Sequence, residues 1–221
     1  MLPYDAPEIL NLLLAAVIAY IIGALPLADR LSKRRGVNVF SSGTGLAGAT
    51  NVRRSVGMIP ASLVVLGDAA KGILAILIAQ ALGVDGIWIV VPAAAAIVGH
   101  WNSIFTGFRG GDGLVTLGGI TLAVFPIYQG YYESIIAVLV AVAVALGGQK
   151  LPYSSLFCII AGYAVIILLF TQTRVNDLDT ALAMGMLALV VFGHALVGHA
   201  RRRRLSDELA GADLADNPEL G

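Results

Sequence analysis

Seven helical membrane spans, with a polar site at their cytoplasmic ends, is the architecture this sequence predicts, and three observations carry it. Of 221 residues, 58% are hydrophobic and 13% charged, and the mean hydropathy is +0.86; a soluble domain carries about 25% charged residues. The apolar residues fall in unbroken runs without the alternation of barrel strands, so the class is an all-α integral membrane protein. Threaded as seven spans, the chain puts 12 of its 14 basic residues on one side, the asymmetry that marks a cytoplasmic face.

A span needs roughly 20 apolar residues to cross about 30 Å of hydrocarbon. The candidate runs are 9–28, 58–83, 86–107, 114–129, 130–148, 153–172 and 178–199. The fourth is short and passes into the fifth through Pro126–Gly130, so five spans, with the third and fourth as a re-entrant pair, is the alternative count. The opening MLPYDAPE is acidic, unlike the basic start of a cleaved signal peptide, and the first run is read as a retained span.

Orientation follows from the loops. Arg30, Lys33, Arg34, Arg35, Arg53 and Arg54 precede the second span; Arg109, Lys150 and Arg201–Arg204 share their side, whereas Arg174 faces them and Lys71 lies within a span. The N-terminus is then outside and the C-terminus in the cytoplasm, in the inner (plasma) membrane of a bacterium. Residues 1–204 form the membrane domain. Residues 205–221 carry Asp207, Glu208, Asp213, Asp216 and Glu219 without apolar periodicity, and read as a disordered polar tail.

Zero formal net charge offers no bulk attraction to nucleic acid. The single cysteine, Cys158, sits in an apolar run and reads as a packing residue. No HExxH, CxxC pair or GxSxG occurs, and no His is followed four residues later by Asp. The sequence calls for no metal and no cofactor.

The polar residues that remain are concentrated. In the loop 29–57, Gly43, Gly45 and Gly48 match GxGxxG, but no strand precedes them and no dinucleotide fold surrounds them. Thr50, Asn51 and Arg54 follow directly, supplying hydroxyl, amide and guanidinium donors suited to phosphate. A flexible surface loop is the plain alternative. A second cluster, FRGGDGLVT from Phe108 to Thr116, puts Gly110, Gly111 and Gly113 before a helix start, a pattern that suits an anion nest and exceeds the needs of a tight turn.

Asp68 and Lys71 lie at i, i+3 inside the second span, where each charge costs about 2.5–3.5 kcal/mol. They should pair, either as a structural ion pair or in contact with substrate. His100 ends the third span; His194 lies in the last span and His199 at its cytoplasmic boundary, where water and a polar substrate can reach it.

These residues resemble a known family, the bacterial acyl-phosphate:glycerol-3-phosphate acyltransferases of the PlsY type. The segment from Gly23 to Gly57 looks like their first motif, GDAAKG (Gly67–Gly72) like their DxxKG stretch, and Gly99–Gly119 like their second motif, GH followed by F-[KR]-G-G-K-G. KLPYSS (Lys150–Ser155) is similar to a later Lys-Tyr-x-Ser element, and His199 falls where the family has a histidine. The resemblance implies transfer of an acyl chain from acyl phosphate to the 1-hydroxyl of glycerol 3-phosphate, giving lysophosphatidic acid. It implies catalytic roles for Thr44, Arg54 and His199. Substrate contacts would fall to Thr50, Asn51, His100, Gly110, Gly111, Gly113, Ser154 and Ser155. The implied partners are the two substrates and membrane lipids.

Departures accompany the match. Thr44 stands for a Ser, Leu46 for an Asn and Asp112 for a Lys, and Arg201 and Arg202 lie near positions where the family has Glu and Asn. A carboxylate ~5 Å from a phosphate is repulsive by about 3 kcal/mol at an effective dielectric near 20. Two other classes therefore stay open: a non-catalytic relative that binds a phosphorylated lipid or precursor, and a small transporter.

Overall fold

A computed structural model describes residues 6–129 and 178–216, with side chains through Phe125 and, in the last helix, through Gly198, plus a few isolated positions between. The proposed spans 130–148 and 153–172, and with them Ser154 and Ser155, lie outside the described residues. The described elements are helices: α1 (Ile9–Gly23), α2 (Leu27–Lys33), α3 (Ala49–Ser55), α4 (Met58–Ala81), α5 (Val90–Trp101), α6 (Leu114–Gln129) and α7 (Leu178–Asp216). A 3₁₀ turn leads into α5 at Gly86–Ile89 and another, Ile104–Thr106, follows it.

Among the described residues, four stretches are long and apolar enough to cross a membrane: Ile9–Lys33, Met58–Ala81, Gly86–Thr106 and Leu178–Gly198. They correspond to the first, second, third and last runs of the sequence. At 1.5 Å per residue, the 16 residues of α6 reach about 24 Å, short of a full span. Leu10, Ile59, Leu66 and Leu189 are each about 70% exposed. So much uncovered leucine and isoleucine on helix surfaces suits lipid and not water.

Small residues make the closest helix crossings of the bundle, around a core that also buries Ile76, Ile97, Leu117 and Ile120. Along α1, Ala15, Ala19 and Gly23 are buried at four-residue spacing and face α5. A Cβ at Gly23 would strike the carbonyl of Ala96, and one at Gly99 that of Tyr20. The α4–α6 crossing repeats the device, with Gly72 against Thr116 and Gly119 against Ala69. Between helices in lipid there is no hydrophobic driving force, so close backbone approach and dispersion contacts hold the crossing together.

A second, smaller core lies at one end. Val39, Ala47 and Val52 from the loop region pack with Ala28 of α2 and with Ala61 and Val64 of α4. The glycine-rich loop is therefore a folded cap over α4, not a flexible surface loop.

The last helix, α7, runs to Asp216.

Candidate functional site

Three breaks in helical structure meet at the capped end of the bundle. The first is the end of α1. Pro26 has no N–H to donate, and the chain turns through Ala24–Pro26 before α2 begins. The turn is stitched to the segment after α5: Ser103 Oγ donates to the Ala24 carbonyl at 2.6 Å, and Tyr20 Oη to that of Asn102 at 2.9 Å. The second break is the glycine loop 43–48, and the third is the loop 102–113.

Asn51 organises the glycine loop. Its Nδ2 donates to the carbonyls of Val39 (2.8 Å) and Leu46 (2.9 Å), and its Oδ1 accepts from the Thr44 N–H (3.1 Å) and Ser55 Oγ (3.3 Å). At 1% exposure, this side chain spends its hydrogen-bonding capacity inside the loop. Gly43 and Gly45 take φ of 54° and 68°, a region open to glycine at no steric cost. At Gly43 a Cβ would also collide with Asn51 Oδ1.

The two glycine segments are joined directly, because the Ala47 N–H donates to the Gly110 carbonyl at 3.1 Å. Gly110 and Gly111 lie so close to the end of α5 that a Cβ on either would overlap His100, at its carbonyl oxygen and ring Nε2 respectively. Phe108 takes φ of 60°, rare for a bulky residue, and is held by its N–H donating to the Ser103 carbonyl at 2.8 Å. Trp101 Nε1 donates to the Asp112 carbonyl at 2.9 Å, and the His194 ring of α7 stacks on Trp101 with centroids 4.1 Å apart.

These segments wall a small recess. It is lined by the 23–28 turn, Ala47, Asp68, Lys71, His100, Ser103, Thr106, Arg109, Gly110 and Gly111. At the floor, Lys71 Nζ and Asp68 Oδ1 are 2.7 Å apart, and His100 Nδ1 lies 4.0 Å from the same carboxylate oxygen and 3.3 Å from Thr116 Oγ1. At the rim, the Arg109 guanidinium lies 4.6 Å over the Phe40 ring.

Of the residues singled out in the sequence, Asp68, Lys71, His100, Gly110 and Gly111 come together at this recess. Thr44, Thr50, Asn51, Arg54 and Gly113 do not line it. Thr50 and Arg54 are exposed and four residues apart on α3, so they share a face of that helix. His199 belongs to α7, five residues and about 7.5 Å along the axis beyond His194. Asp112 is outside the lining: its Oδ1 accepts from the Leu114 N–H at 3.3 Å, at the start of α6. Sequence reasoning passed over Ser103, Thr106 and Thr116. Only the position of Ser103 and Thr106 just past the end of a span could have drawn attention to them. No cluster of three or more potential metal ligands occurs among the described residues.

A family model described as Glycerol-3-phosphate acyltransferase matches residues 13–202. A glycerol-3-phosphate acyltransferase of Rubrobacter xylanophilus is 35% identical over 171 residues, covering 69% of this chain and 85% of that one. Glycerol-3-phosphate acyltransferase 1 of Deinococcus radiodurans is 44% identical over 118 residues, 53% of this chain. This chain spans 60% of the length of that relative and 61% of a Geobacter sulfurreducens relative. Among solved structures, PlsY (YgiH), an integral membrane glycerol 3-phosphate acyltransferase in its glycerol 3-phosphate form, superposes with a TM-score of 0.69 at 26% identity. That match covers 90% of this chain and 92% of the other. With the family match running through nearly all of the membrane region, this chain belongs to the glycerol-3-phosphate acyltransferase family.

Proposed function

We propose that this chain transfers a fatty acyl group from acyl phosphate to the 1-hydroxyl of glycerol 3-phosphate, giving lysophosphatidic acid for phospholipid synthesis. The observation that carries the reading is the recess. It brings Lys71, His100 and Arg109 together with a glycine-lined wall at the capped end of a lipid-facing bundle. Such a place suits a phosphate and a short polyol, and it is too small for a long acyl chain, which would stay in lipid.

The chemistry asks little of the protein. Acyl phosphate is a mixed anhydride, already activated, so no acyl-enzyme is required. The acceptor hydroxyl oxygen bonds to the acyl carbon, and the bond from that carbon to the phosphate oxygen breaks with its electron pair going to phosphate. The hydroxyl proton ends on the released phosphate. Holding two phosphorylated substrates in line, and balancing their charge away from bulk water, supplies the rate.

In this scheme Gly110 and Gly111 let the backbone approach a phosphate. Arg54, with Thr50 on the same face of α3, offers charge-assisted donors, and Asn51 acts by holding the loop closed. Gly113 gives the start of α6 its turn, with φ of 82°. Thr44 contributes a hydroxyl, Ser154 and Ser155 add donors from the 150–155 segment, and His199 relays the proton. The chain has seven spans in a bacterial inner membrane, N-terminus outside, and its site opens to the cytoplasm. A second solved structure of PlsY (YgiH), in its lysophosphatidic acid form, is similar to this chain at 26% identity and a TM-score of 0.64.

Purified protein incubated with acyl phosphate and radiolabelled glycerol 3-phosphate tests the reading. Labelled lysophosphatidic acid is the expected product. Binding of glycerol 3-phosphate without product would favour a non-catalytic relative, and uptake of label into proteoliposomes a transporter.

A further inference from the structure

The pair at the floor of the recess invites a closer account. The Lys71 side chain is 5% exposed, yet it lines the recess. Among the described residues its ammonium has one hydrogen-bond partner, Asp68 Oδ1 at 2.7 Å. An ammonium carries three donors, so two are left over. Both residues stand on α4, three positions apart, so their pairing joins no helix to another. The neighbouring crossing of α4 with α6 is made by Gly72 and Gly119 instead. A buried ion pair is a weak source of stability, and charges within a span are costly. The hydrogen bond between them lies within one helix, and a buried pair that carries that cost is explained by what it presents to the recess.

We propose that Lys71 is a phosphate ligand at the floor of the recess, oriented by Asp68 and using the two ammonium donors that Asp68 leaves. Asp68 Oδ1 accepts from Lys71 Nζ at 2.7 Å, and His100 Nδ1 lies 4.0 Å from the same oxygen, so the ammonium is oriented before substrate arrives. Floor and rim then divide the work. Lys71 provides a compact point charge inside, and Arg109 a planar fork outside. The phosphoryl group belongs to acyl phosphate or to glycerol 3-phosphate. This identity rests on the acyltransferase reading, whereas the binding does not.

The test measures affinity through ligand-induced thermal stabilisation of the purified full chain. Inorganic phosphate, glycerol 3-phosphate and a non-hydrolysable acyl phosphonate are titrated against wild type, Lys71→Met, Lys71→Arg and the double variant Asp68→Asn/Lys71→Met. The double variant removes both charges at nearly constant volume and leaves none unpaired, so it folds even where Lys71→Met alone does not. Affinity for at least one ligand should fall roughly tenfold or more in Lys71→Met and in the double variant, the loss of a charge-assisted contact. Lys71→Arg should retain part of it. The ligand that is lost identifies the source of the phosphate. Unchanged affinity for all three in the folded double variant overturns the proposal and leaves a neutral structural pair. Failure of all three to stabilise wild type overturns it as well. If binding depends on Lys71 but no lysophosphatidic acid is made, the acyltransferase reading alone falls.

Discussion

The Asp112 carboxylate, two residues before α6, accepts the backbone N–H of Leu114, the first residue of that helix, at 3.3 Å. This contact gives the acid in the second glycine segment a place of its own. The first N–H groups of a helix lack partners within it and carry partial positive charge, so a carboxylate there is stabilised. The acid is turned toward the helix start and does not line the recess.

Asp112→Lys should therefore impair the protein rather than improve it. Loss of the helix-start contact costs about 1 kcal/mol, and a cation at that end adds a few tenths more. Asp112→Asn, which keeps an acceptor, should stay near wild type. Thermal unfolding in detergent, with the transfer assay beside it, reads both. Higher phosphate affinity in Asp112→Lys would mean that the side chain faces substrate after all.

Asn51 and Arg54 should separate cleanly, although they sit three residues apart. Asn51→Ala removes four hydrogen bonds in a buried place, each worth about 1 kcal/mol, so folded yield should collapse. Arg54→Ala, at an exposed position, should leave yield unchanged and raise KM for glycerol 3-phosphate or abolish turnover. Expression yield and steady-state kinetics distinguish the two. Normal kinetics in Arg54→Ala would remove that residue from the site.

Glycines of the second segment should differ in the same way. At Gly110 a Cβ meets the carbonyl oxygens of His100 and Trp101, which are backbone and cannot swing aside. Gly110→Ala should cost about 1–3 kcal/mol and lower activity at least tenfold. Gly107, with φ of 65° and open space around it, should lose only about 1 kcal/mol on change to Ala, from backbone strain. Similar melting temperatures for the two variants would contradict the close approach of the loop to α5.

For topology, a reporter fused after Leu205 should read as cytoplasmic and one near residue 176 as external. Both on one side would overturn the seven-span arrangement.

What the sequence made legible was set by periodicity and local spacing. Hydrophobic run length located α4 and the last span within a few residues, since lipid thickness fixes how much apolar chain is needed. The i, i+3 spacing of Asp68 and Lys71 put them within reach of each other on one helix. The break at Pro26 was hidden inside an apolar run that hydropathy reads as continuous. The role of Asn51 depends on Val39 and Leu46 presenting carbonyls from 12 and 5 residues upstream, which no local pattern encodes. Ser103 was silent for the same reason, its partner Ala24 lying 79 residues away. Asp112 was legible as an acid among glycines, but its contact with the Leu114 N–H is a matter of side-chain orientation that spacing does not encode.

The most direct measurement of the central claim follows both products at once. Full-length protein in lipid nanodiscs, given acyl phosphate and glycerol 3-phosphate, should form lysophosphatidic acid and inorganic phosphate in equal amounts, with the acyl group on the 1-hydroxyl. Gly110→Ala should lower both products together. Folded wild-type protein that yields no ester, or that releases phosphate without forming ester, would contradict acyl transfer as the function of this chain.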